Sequence, residues 1–307
     1  MIWGNRLKVS GFTFVRNGEL YGYPFVESIR SILPIVDEFV VAVGPCEDRT
    51  VELLRGIGDP KIRLIPTQWN DSLRPNAAVK GFVYGQQKST ALFSCTGDWA
   101  FYLEGDEIVH ENDLHRIRSA MERYLDDPRV ESLVFDYLHF YGNGDTIAWS
   151  PGWYRTAPRI IRNTIPVWAP KGLFFLVLCN HKRGRYPRAA HTGAVIYHYG
   201  WVRPEESVRR KNKLIARHWR GNVVPVDYSD VDARILRPFR GTHPAVIRGW
   251  LPKSSGLFEA RPQRRPTWKE RKHRWMLWWE SRFGGDLSKK HYRLIYRRPN
   301  PQHAVPE

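Results

Sequence analysis

The sequence predicts an α/β fold with a mainly parallel sheet flanked by helices, because short apolar strands alternate with helices along its N-terminal part. Four segments are as short and as apolar as strands buried on both faces: residues 7–15, 38–43, 61–66 and 99–103. The first connection carries the apolar stripe of an amphipathic helix, at Phe25, Ile29, Ile32 and Leu33. Parallel strands need crossover connections of this kind, so the alternation favours a parallel sheet.

The connections carry signals of their own. A turn at residues 16–19 ends the first strand, and a loop at 44–48 ends the second. Asp48 can cap the helix that follows it. Residues 84–95 have the pattern of a helix that leads into the fourth strand. Further along the chain we predict strands at 130–140 and 194–201 and a basic helix at 207–219.

Acidic residues follow the fourth strand directly, in the order Glu104-Gly105-Asp106-Glu107. Open α/β sheets bind ligands at the carboxyl ends of their strands, so these carboxylates lie where a site is expected. Buried anions repel one another unless a cation or hydrogen bonds neutralise them. Mg²⁺ or Mn²⁺ is the natural cation, because carboxylates, phosphate and water complete its shell. The alternative is a solvated acidic turn in which Gly105 supplies the bend.

Three segments, taken in order, resemble the nucleotide-sugar half of family 2 glycosyltransferases, which have the GT-A (Rossmann-like) fold. They are residues 14–19, 43–50 and 102–107, and the resemblance covers residues 7–115. A Gln-x-x-x-Ala-Leu pattern at 87–92, ahead of Gly-Asp-Trp, is similar to one branch of the family. The resemblance implies that the first two loops hold the nucleoside of a nucleotide-sugar donor. The third segment corresponds to the "DXD" motif that binds a metal and the diphosphate.

The resemblance also implies particular donor and metal contacts. The metal ligands would be Asp106, Glu104 and His198, since a C-terminal histidine completes the metal shell in many GT-A enzymes. The alternative for His198 is a hydrogen-bonded core histidine. Arg159 is added to the donor contacts because a guanidinium fork matches phosphate oxygens, although Arg159 and Arg162 could equally form surface ion pairs. The donor contacts are Phe14, Arg16, Asn17, Glu19, Gly44, Asp48, Gln87, Lys88, Glu104 and Arg159.

The chain departs from the family pattern at three places. Glu104 stands where the motif has its first aspartate, so the carboxylate reaches one methylene further. Pro45-Cys46 replaces the small polar residues usual in the second loop, which leaves the nucleotide undetermined. Ser89 stands where related sequences often have asparagine. None of these changes removes a carboxylate from the predicted metal site.

The acceptor half is expected to follow, within residues 116–240. An inverting transfer needs a base for the acceptor hydroxyl, and Asp136 on the strand after the acidic motif is the first candidate, with Asp145 as the alternative. Trp149, Trp153 and Tyr154 could stack on sugar rings or simply fill an irregular core. Two other groups are weaker candidates: His191 for the metal, and Lys211 or Lys213 for the donor phosphates.

Composition fits one catalytic domain with an extension. The 307 residues are 42% hydrophobic, enough for a substantial core, and we predict a catalytic domain at 1–240 (nucleotide-sugar half 1–115, acceptor half 116–240) with an extension at 241–307. The three cysteines lack metal-site spacing, which argues against a disulfide scaffold or structural zinc and favours a reducing compartment. We expect neither a signal peptide nor a membrane span, and therefore a cytoplasmic location.

The net charge of +17 is concentrated near the C-terminus. Residues 261–298 contain 13 Lys and Arg together with Trp268, Trp275, Trp278 and Trp279. This composition is typical of a helix lying in a membrane interface on anionic lipid, which is the preferred interpretation. Two alternatives are a helix that docks its tryptophans on the catalytic domain and a nucleic-acid-binding segment.

The sequence therefore predicts a metal-dependent inverting glycosyltransferase, peripheral on the inner face of the cell membrane, that acts on a glycan or lipid-linked acceptor. A nucleic-acid-binding protein is the alternative from another class. A nucleotidyltransferase on a similar fold is the closer alternative, although the chain has no glycine-rich, basic triphosphate loop. The sequence leaves the sugar, the nucleotide and the oligomeric state undetermined.

Overall fold

The computed structural model describes residues 7–73, 81–219, 227–252, 256–262 and 265–297, apart from the side chains of 214–219. The strands are β1 (Val9–Val15), β2 (Glu38–Val43), β3 (Ile62–Pro66), β4 (Trp99–Tyr102), β5 (Glu107–Val109), β6 (Ser132–Tyr141), β7 (Thr146–Ala148), β8 (Thr156–Arg162), β9 (Val167–Trp168), β10 (Leu176–Asn180), β11 (Arg183–Arg185), β12 (Arg188–Trp201), β13 (Leu236–Pro238) and β14 (Arg293–Tyr296). The α-helices are α1 (Phe25–Ile32), α2 (Thr50–Arg55), α3 (Phe82–Phe93), α4 (Leu114–Arg123), α5 (Glu205–Trp219) and α6 (Trp268–Phe283).

The N-terminal half is the predicted parallel sheet. β1 lies between β2 and β4 and is parallel to both, and β3 is parallel to β2 on the outer side. The connections between successive strands contain the helices α1, α2 and α3, as the alternation of apolar segments predicted. The α/β fold with a mainly parallel sheet is confirmed, and with it the arrangement expected for a GT-A fold.

The second half of the sheet is mixed. β8 is antiparallel to both β4 and β6, and β12 is parallel to β6 but antiparallel to the short strand β5. In register, His198 of β12 lies opposite Glu107 on one side and opposite His139 on the other. The sheet therefore brings the acidic motif next to two histidines that are distant in sequence.

The core occupies both faces of the sheet. On one face, Phe101 and Phe135 stack with ring centroids 5.4 Å apart. On the other, Phe12 contacts Tyr102 and Phe175. Because strands carry side chains alternately to opposite faces, neighbouring residues of β4 belong to different clusters.

Asp48 caps α2 as predicted, although it lies one residue before the N-cap position. Asp48 accepts a hydrogen bond from the backbone N–H of Thr50, the first residue of the helix, at 3.1 Å, whereas Arg49 occupies the N-cap position. The other Asp48 oxygen accepts from the N–H of Leu20 at 2.6 Å. Asp48 therefore ties the loop after β1 to the loop after β2.

The C-terminal extension packs on the preceding part of the chain through charges. Glu280 of α6 forms an ion pair with Arg155 at 2.7 Å, with side chains only 8% and 11% exposed. Arg274 pairs with Asp232 at 2.6 Å, and β14 adds a strand beside β12. The extension is thus joined to the same sheet as the acidic motif. Residues 253–255, 263–264 and 298–307 of it lie outside the described part of the chain.

The tryptophans of α6 face outward. Trp268, Trp275 and Trp278 are 77%, 57% and 56% exposed, and Trp279 is 39% exposed. The alternative in which these rings dock on the catalytic domain is therefore wrong, because the docking face is built from Arg274, Glu280 and their partners. In the part of the chain that is described, no helix combines the length and apolarity needed to cross a membrane.

Replacing Glu280 by Gln is expected to lower the free energy of unfolding by about 3 kcal/mol, because it leaves the largely buried Arg155 with only the Asp286 carboxylate, at 3.5 Å. The exposed pair of Arg209 and Glu206 on α5 is the control, and Arg209→Gln should cost no more than about 1 kcal/mol. Urea unfolding at neutral pH measures both variants. Equal effects would contradict charge-based docking of the extension.

Candidate functional site

The acidic turn is organised by a buried ion pair between Glu107 and Arg159. Arg159 Nε and Nη2 donate to the two Glu107 oxygens at 2.7 and 2.6 Å, and Tyr137 Oη donates to Oε1 at 2.9 Å. Both side chains are fully buried. The same carboxylate accepts the backbone N–H of Glu104 at 3.0 Å and so closes the turn. The surface-pair alternative for Arg159 is therefore wrong, and the guanidinium is largely occupied by protein.

Glu104 lies at the edge of this pair. Its Oε1 is 3.4 Å from Arg159 Nη2, and its side chain is 30% exposed. Partial removal from water and the neighbouring Glu107 carboxylate raise the pKa of Glu104 to about 7. Glu104 is thus the motif residue that a ligand can reach, and a nearby cation would favour the ionised form of its carboxyl.

Asp106 meets His198 at the carboxyl end of β12. Asp106 Oδ1 lies 3.7 Å from His198 Nε2, and both side chains are buried. Burial opposes ionisation of Asp106, but His198, Lys211 and Arg203 outweigh it and lower the pKa of the carboxyl. Burial also lowers the pKa of His198, which favours the neutral imidazole.

Gly200 leaves space beside this pair. A Cβ atom at this position would lie 2.8 Å from Asp106 Oδ2 and 2.7 Å from His198 Cε1. Any other residue would therefore collide with both side chains. The Asp-His pair has room for a further atom because position 200 has no side chain.

His139 supports His198 from the neighbouring strand. The Nδ1 atoms of the two rings are 3.1 Å apart, and His139 Nε2 is 2.7 Å from the carbonyl oxygen of Tyr154. Burial, with a smaller contribution from His198, lowers the pKa of His139 to about 3. The sequence predicted that His139 lies on this strand but assigned it no role. Its spacing of two residues from Tyr137, which places both side chains on one face of the strand, was the signal that could have identified it.

Two cations flank the pair. Arg203 and Lys211 lie over the Tyr23 ring, 4.2 and 4.7 Å from its centroid. Burial and Arg203 lower the pKa of Lys211 to about 8, partly offset by Asp106 and Glu104. Of the predicted basic pair, Lys211 lies at the site and Lys213 is exposed. Arg203 was missed, since nothing in the sequence separates it from the many other arginines.

An aromatic pocket lies beyond the ends of β1 to β3. The Phe14 ring lies 6.1 Å from Trp69 and 6.3 Å from Tyr84, and the Arg16 guanidinium lies over Trp69 while pairing with Asp71 at 2.8 Å. Gly44 allows the approach of Trp69, whose Nε1 would lie 2.5 Å from a Cβ there. Of the buried polar side-chain atoms without a hydrogen-bond partner in the described ranges, four lie in this region, namely Arg16 Nε, Thr67 Oγ1, Trp69 Nε1 and Gln87 Oε1.

The remaining predicted donor residues have structural contacts. Asn17, with a positive φ of 52°, accepts the N–H of Glu47 at 2.8 Å, and Glu19 pairs with Arg49 on the surface. Gln87 Nε2 donates to the Gln68 carbonyl at 3.0 Å. Lys88 is fully buried between aromatic rings and donates to the Gly172 carbonyl at 2.8 Å. Burial lowers the pKa of Lys88, which lies beneath the acidic turn.

The two candidate bases have hydrogen-bond partners outside the Asp106 and His198 pair. Asp136 is on β6 between residues that face the opposite side of the sheet, and its Oδ1 pairs with His191 Nε2 at 3.1 Å. Strand alternation therefore directs Asp136 away from Tyr137 and His139, which corrects its selection as the base. Asp145 lies in the turn after β6 and accepts the N–H of Gly256 at 3.2 Å.

The aromatic loop contributes to the wall of the site. The Trp153 ring lies 5.2 Å from His139, and Tyr154 contacts both Tyr137 and His139 edge-on. Trp149 packs against the Arg155 guanidinium at 4.5 Å. The Trp153 and Tyr154 rings therefore pack against His139 and remain partly exposed. Within the described ranges, no group of three or more His, Cys, Asp or Glu side chains forms a complete cation cage.

No protein-family model matches the chain, and no curated protein matches it either. Glucosyl-3-phosphoglycerate synthase from Mycobacterium tuberculosis, solved with Mn²⁺ and UDP, is 18% identical over 44% of this chain and 45% of that one, with a TM-score of 0.31. S. aureus TarS is 15% identical over 68% and 39% of the two chains, with a TM-score of 0.36. Mannosyl-3-phosphoglycerate synthase from Rubrobacter xylanophilus is 18% identical over 45% and 43%, at 0.30. The matched part spans less than half of each of these three chains.

Glu107→Gln is expected to destabilise the protein by about 3–5 kcal/mol, because it removes the close counter-charge of the buried Arg159 and leaves only the Glu104 carboxylate, at 3.4 Å. Glu104→Gln is the matched control and should cost about 1 kcal/mol or less, since that side chain is partly exposed. Urea unfolding of both variants provides the comparison. A Glu107→Gln protein as stable as the wild type would show that another contact holds the turn.

Proposed function

We propose that this protein is a metal-dependent, inverting glycosyltransferase of the family 2 type, which moves a sugar from a nucleotide-sugar donor to a glycan or lipid-linked acceptor. One observation carries the proposal: Asp106 and His198 meet at the carboxyl end of the sheet beside two cations, the buried Arg203 and the half-buried Lys211. An anionic ligand bound together with a divalent cation would satisfy both charges: the cation would neutralise Asp106, and the anion would neutralise Arg203 and Lys211. The aromatic pocket lies at the same edge, beyond β1 to β3.

The residues fit a divalent cation. Asp106 supplies a carboxylate oxygen and His198 an imidazole nitrogen, a pair that suits Mn²⁺ and also Mg²⁺ with its preference for oxygen. Two protein ligands suffice, because diphosphate oxygens and water commonly complete such sites. Gly200 provides the space that a bound ion needs. Glu104, partly accessible beside the pair, is a third candidate ligand or a contact to the donor.

The nucleoside would occupy the aromatic pocket. Phe14 and Trp69 offer flat surfaces for a base, and the unpartnered atoms of Arg16, Thr67 and Gln87 offer donors and acceptors. Unpaired buried polar groups are costly, so a base that pairs with them gains both affinity and specificity. Phe14, Arg16, Gly44 and Gln87 are therefore the donor contacts that we retain. Asn17 and Asp48 act by holding the loops together.

The chemistry requires stabilisation of the diphosphate leaving group. A bound metal supplies Lewis-acid stabilisation of the negative charge that develops there. Arg203 and Lys211 add fixed positive charge in a site from which water is partly excluded. For the acceptor hydroxyl, we retain Asp145 as the candidate base, because it follows Tyr141, the last residue of β6, which pairs with Trp201 at the end of β12.

The acceptor would bind in a cleft of about 530 Å³ that opens beside Arg203. Tyr228 and Trp250 provide aromatic walls, and Glu205 provides a polar edge. Sugar rings present apolar C–H faces together with hydroxyls, which match this lining. Arg203, whose charge acts on Asp106, also lines the cleft and so links it to the proposed metal site.

Asp106→Asn is expected to abolish metal-dependent binding of a nucleoside diphosphate while the fold is retained, because the change removes a charged ligand without changing side-chain size. A thermal-shift panel of nucleoside diphosphates and nucleotide sugars, with and without Mn²⁺, measures this. Asp136→Asn is the control on the opposite face and should keep the Mn²⁺-dependent stabilisation. A wild-type protein that no nucleotide stabilises in the presence of Mn²⁺ would reject the proposed function.

We also propose that α6 holds the enzyme on the anionic inner face of the cell membrane. Trp275, Trp279 and Phe283 form an exposed aromatic row, with ring centroids 5.6 and 4.3 Å apart between successive members. Arg271 and Arg282 lie on the same exposed helix. Aromatic rings that enter the headgroup region beside cations are characteristic of interfacial helices. A lipid-linked acceptor would then lie within reach of the site.

The double variant Trp275→Ser/Trp279→Ser should reduce binding to anionic vesicles at least about tenfold, since full burial of such side chains contributes about 1.5–3 kcal/mol each. Co-sedimentation with anionic and neutral vesicles measures this, and high salt should weaken wild-type binding without removing it. Phe93→Ser, at an exposed aromatic residue of α3, is the control. Retention on nucleic acid but not on vesicles would favour the alternative partner.

A further inference from the structure

The two histidines beside Asp106 share a hydrogen bond whose direction can be deduced. His139 Nε2 lies 2.7 Å from the carbonyl oxygen of Tyr154. A carbonyl oxygen only accepts, so His139 Nε2 must carry a proton. The second ring nitrogen of His139, Nδ1, lies 3.1 Å from His198 Nδ1. One proton must lie between these two nitrogens for the contact to be a hydrogen bond.

That proton belongs to His198. The His139 ring is buried among the uncharged Tyr137, Trp153 and Tyr154. The nearby Asp106 carboxylate faces His198 Nε2, so neither ring nitrogen of His139 has a carboxylate as its partner. A neutral imidazole has one ring proton, and in His139 the Tyr154 carbonyl already requires it at Nε2. His139 Nδ1 is therefore an acceptor, and His198 Nδ1–H is the donor.

The consequence lies at the other end of the His198 ring. With its single proton on Nδ1, neutral His198 has an electron pair on Nε2, the atom that is 3.7 Å from Asp106 Oδ1. If the proton were on Nε2 instead, it would point towards Asp106 and block both atoms from a cation. The choice of tautomer therefore decides whether this pair can bind a metal.

We propose that His139 is a positioning residue, which holds His198 in the Nδ1-protonated tautomer through the Tyr154 carbonyl and thereby directs the Nε2 electron pair at the metal site. The metal part rests on the proposed function, whereas the tautomer is a property of the metal-free protein. Metal-binding histidines commonly donate their second nitrogen to a carbonyl or carboxylate. Here the acceptor is a second histidine, His139, and the Tyr154 carbonyl fixes the tautomer of that ring in turn.

NMR of the metal-free protein, labelled with ¹⁵N-histidine, tests the tautomers directly. Long-range ¹H–¹⁵N correlations are expected to show His198 protonated at Nδ1 and His139 at Nε2. His139→Phe preserves the aromatic packing and removes the acceptor, so His198 should change to the Nε2-protonated form. EPR titration with Mn²⁺ alone should then show an affinity 10–100-fold weaker, the usual effect of losing such a partner.

Two further variants separate positioning from packing. His139→Asn keeps an acceptor oxygen close to the former Nδ1 and should restore the His198 tautomer and most of the Mn²⁺ affinity. His191→Phe, at the histidine that pairs with Asp136 on the other face, should change neither. The rescue by Asn is the outcome that a purely structural role of His139 would not produce.

A wild-type spectrum with His198 protonated at Nε2 would overturn the proposal, as would an unchanged His198 tautomer in His139→Phe. If His139→Phe does not fold, the wild-type and His139→Asn spectra decide the same question. Failure of the proposed function has a different signature: Mn²⁺ affinity would be the same in the wild type and in Asp106→Asn, whatever the tautomer of His198.

Discussion

The buried ion pair of Glu107 and Arg159 is the interaction on which the rest of the site depends. It neutralises one of three neighbouring acids, closes the turn through the Glu104 N–H and joins β5 to β8. A buried pair is stable only when its remaining hydrogen-bonding positions are satisfied, and Tyr137 satisfies one of them. Because Glu107 is neutralised internally, Glu104 and Asp106 are left to respond to a ligand.

The long strand β12 supplies the second half of the arrangement. It lies between β5 and β6, and its register places His198 between Glu107 and His139. Two residues later the strand reaches Gly200, where the missing side chain leaves room beside Asp106. A single strand thus contributes a candidate ligand, its orientation and the space for an ion, while Arg203 follows at its end.

The extension shows how charge and aromatic residues divide their roles. Buried pairs through Glu280 and Arg274 fasten α6 to the catalytic part, and the tryptophans remain at the surface. Exposed aromatic rings in a row are unfavourable in water unless something covers them, which is the physical basis for our proposal that this face binds a membrane interface. Charged residues hold α6 in place, and its aromatic residues face outward.

The sequence by itself determined the α/β fold, the order of its strands and the place of the acidic motif, because apolar runs and turn residues are local signals. Through the family resemblance it also grouped Asp106 with His198 as candidate ligands of one metal. What the tertiary structure decided is how side chains from distant segments meet: Arg159 became an internal partner of Glu107, and Asp136 faced the other side of the sheet. Register across β5, β12 and β6 set these outcomes, and register depends on packing of the whole sheet, which no local pattern of residues specifies.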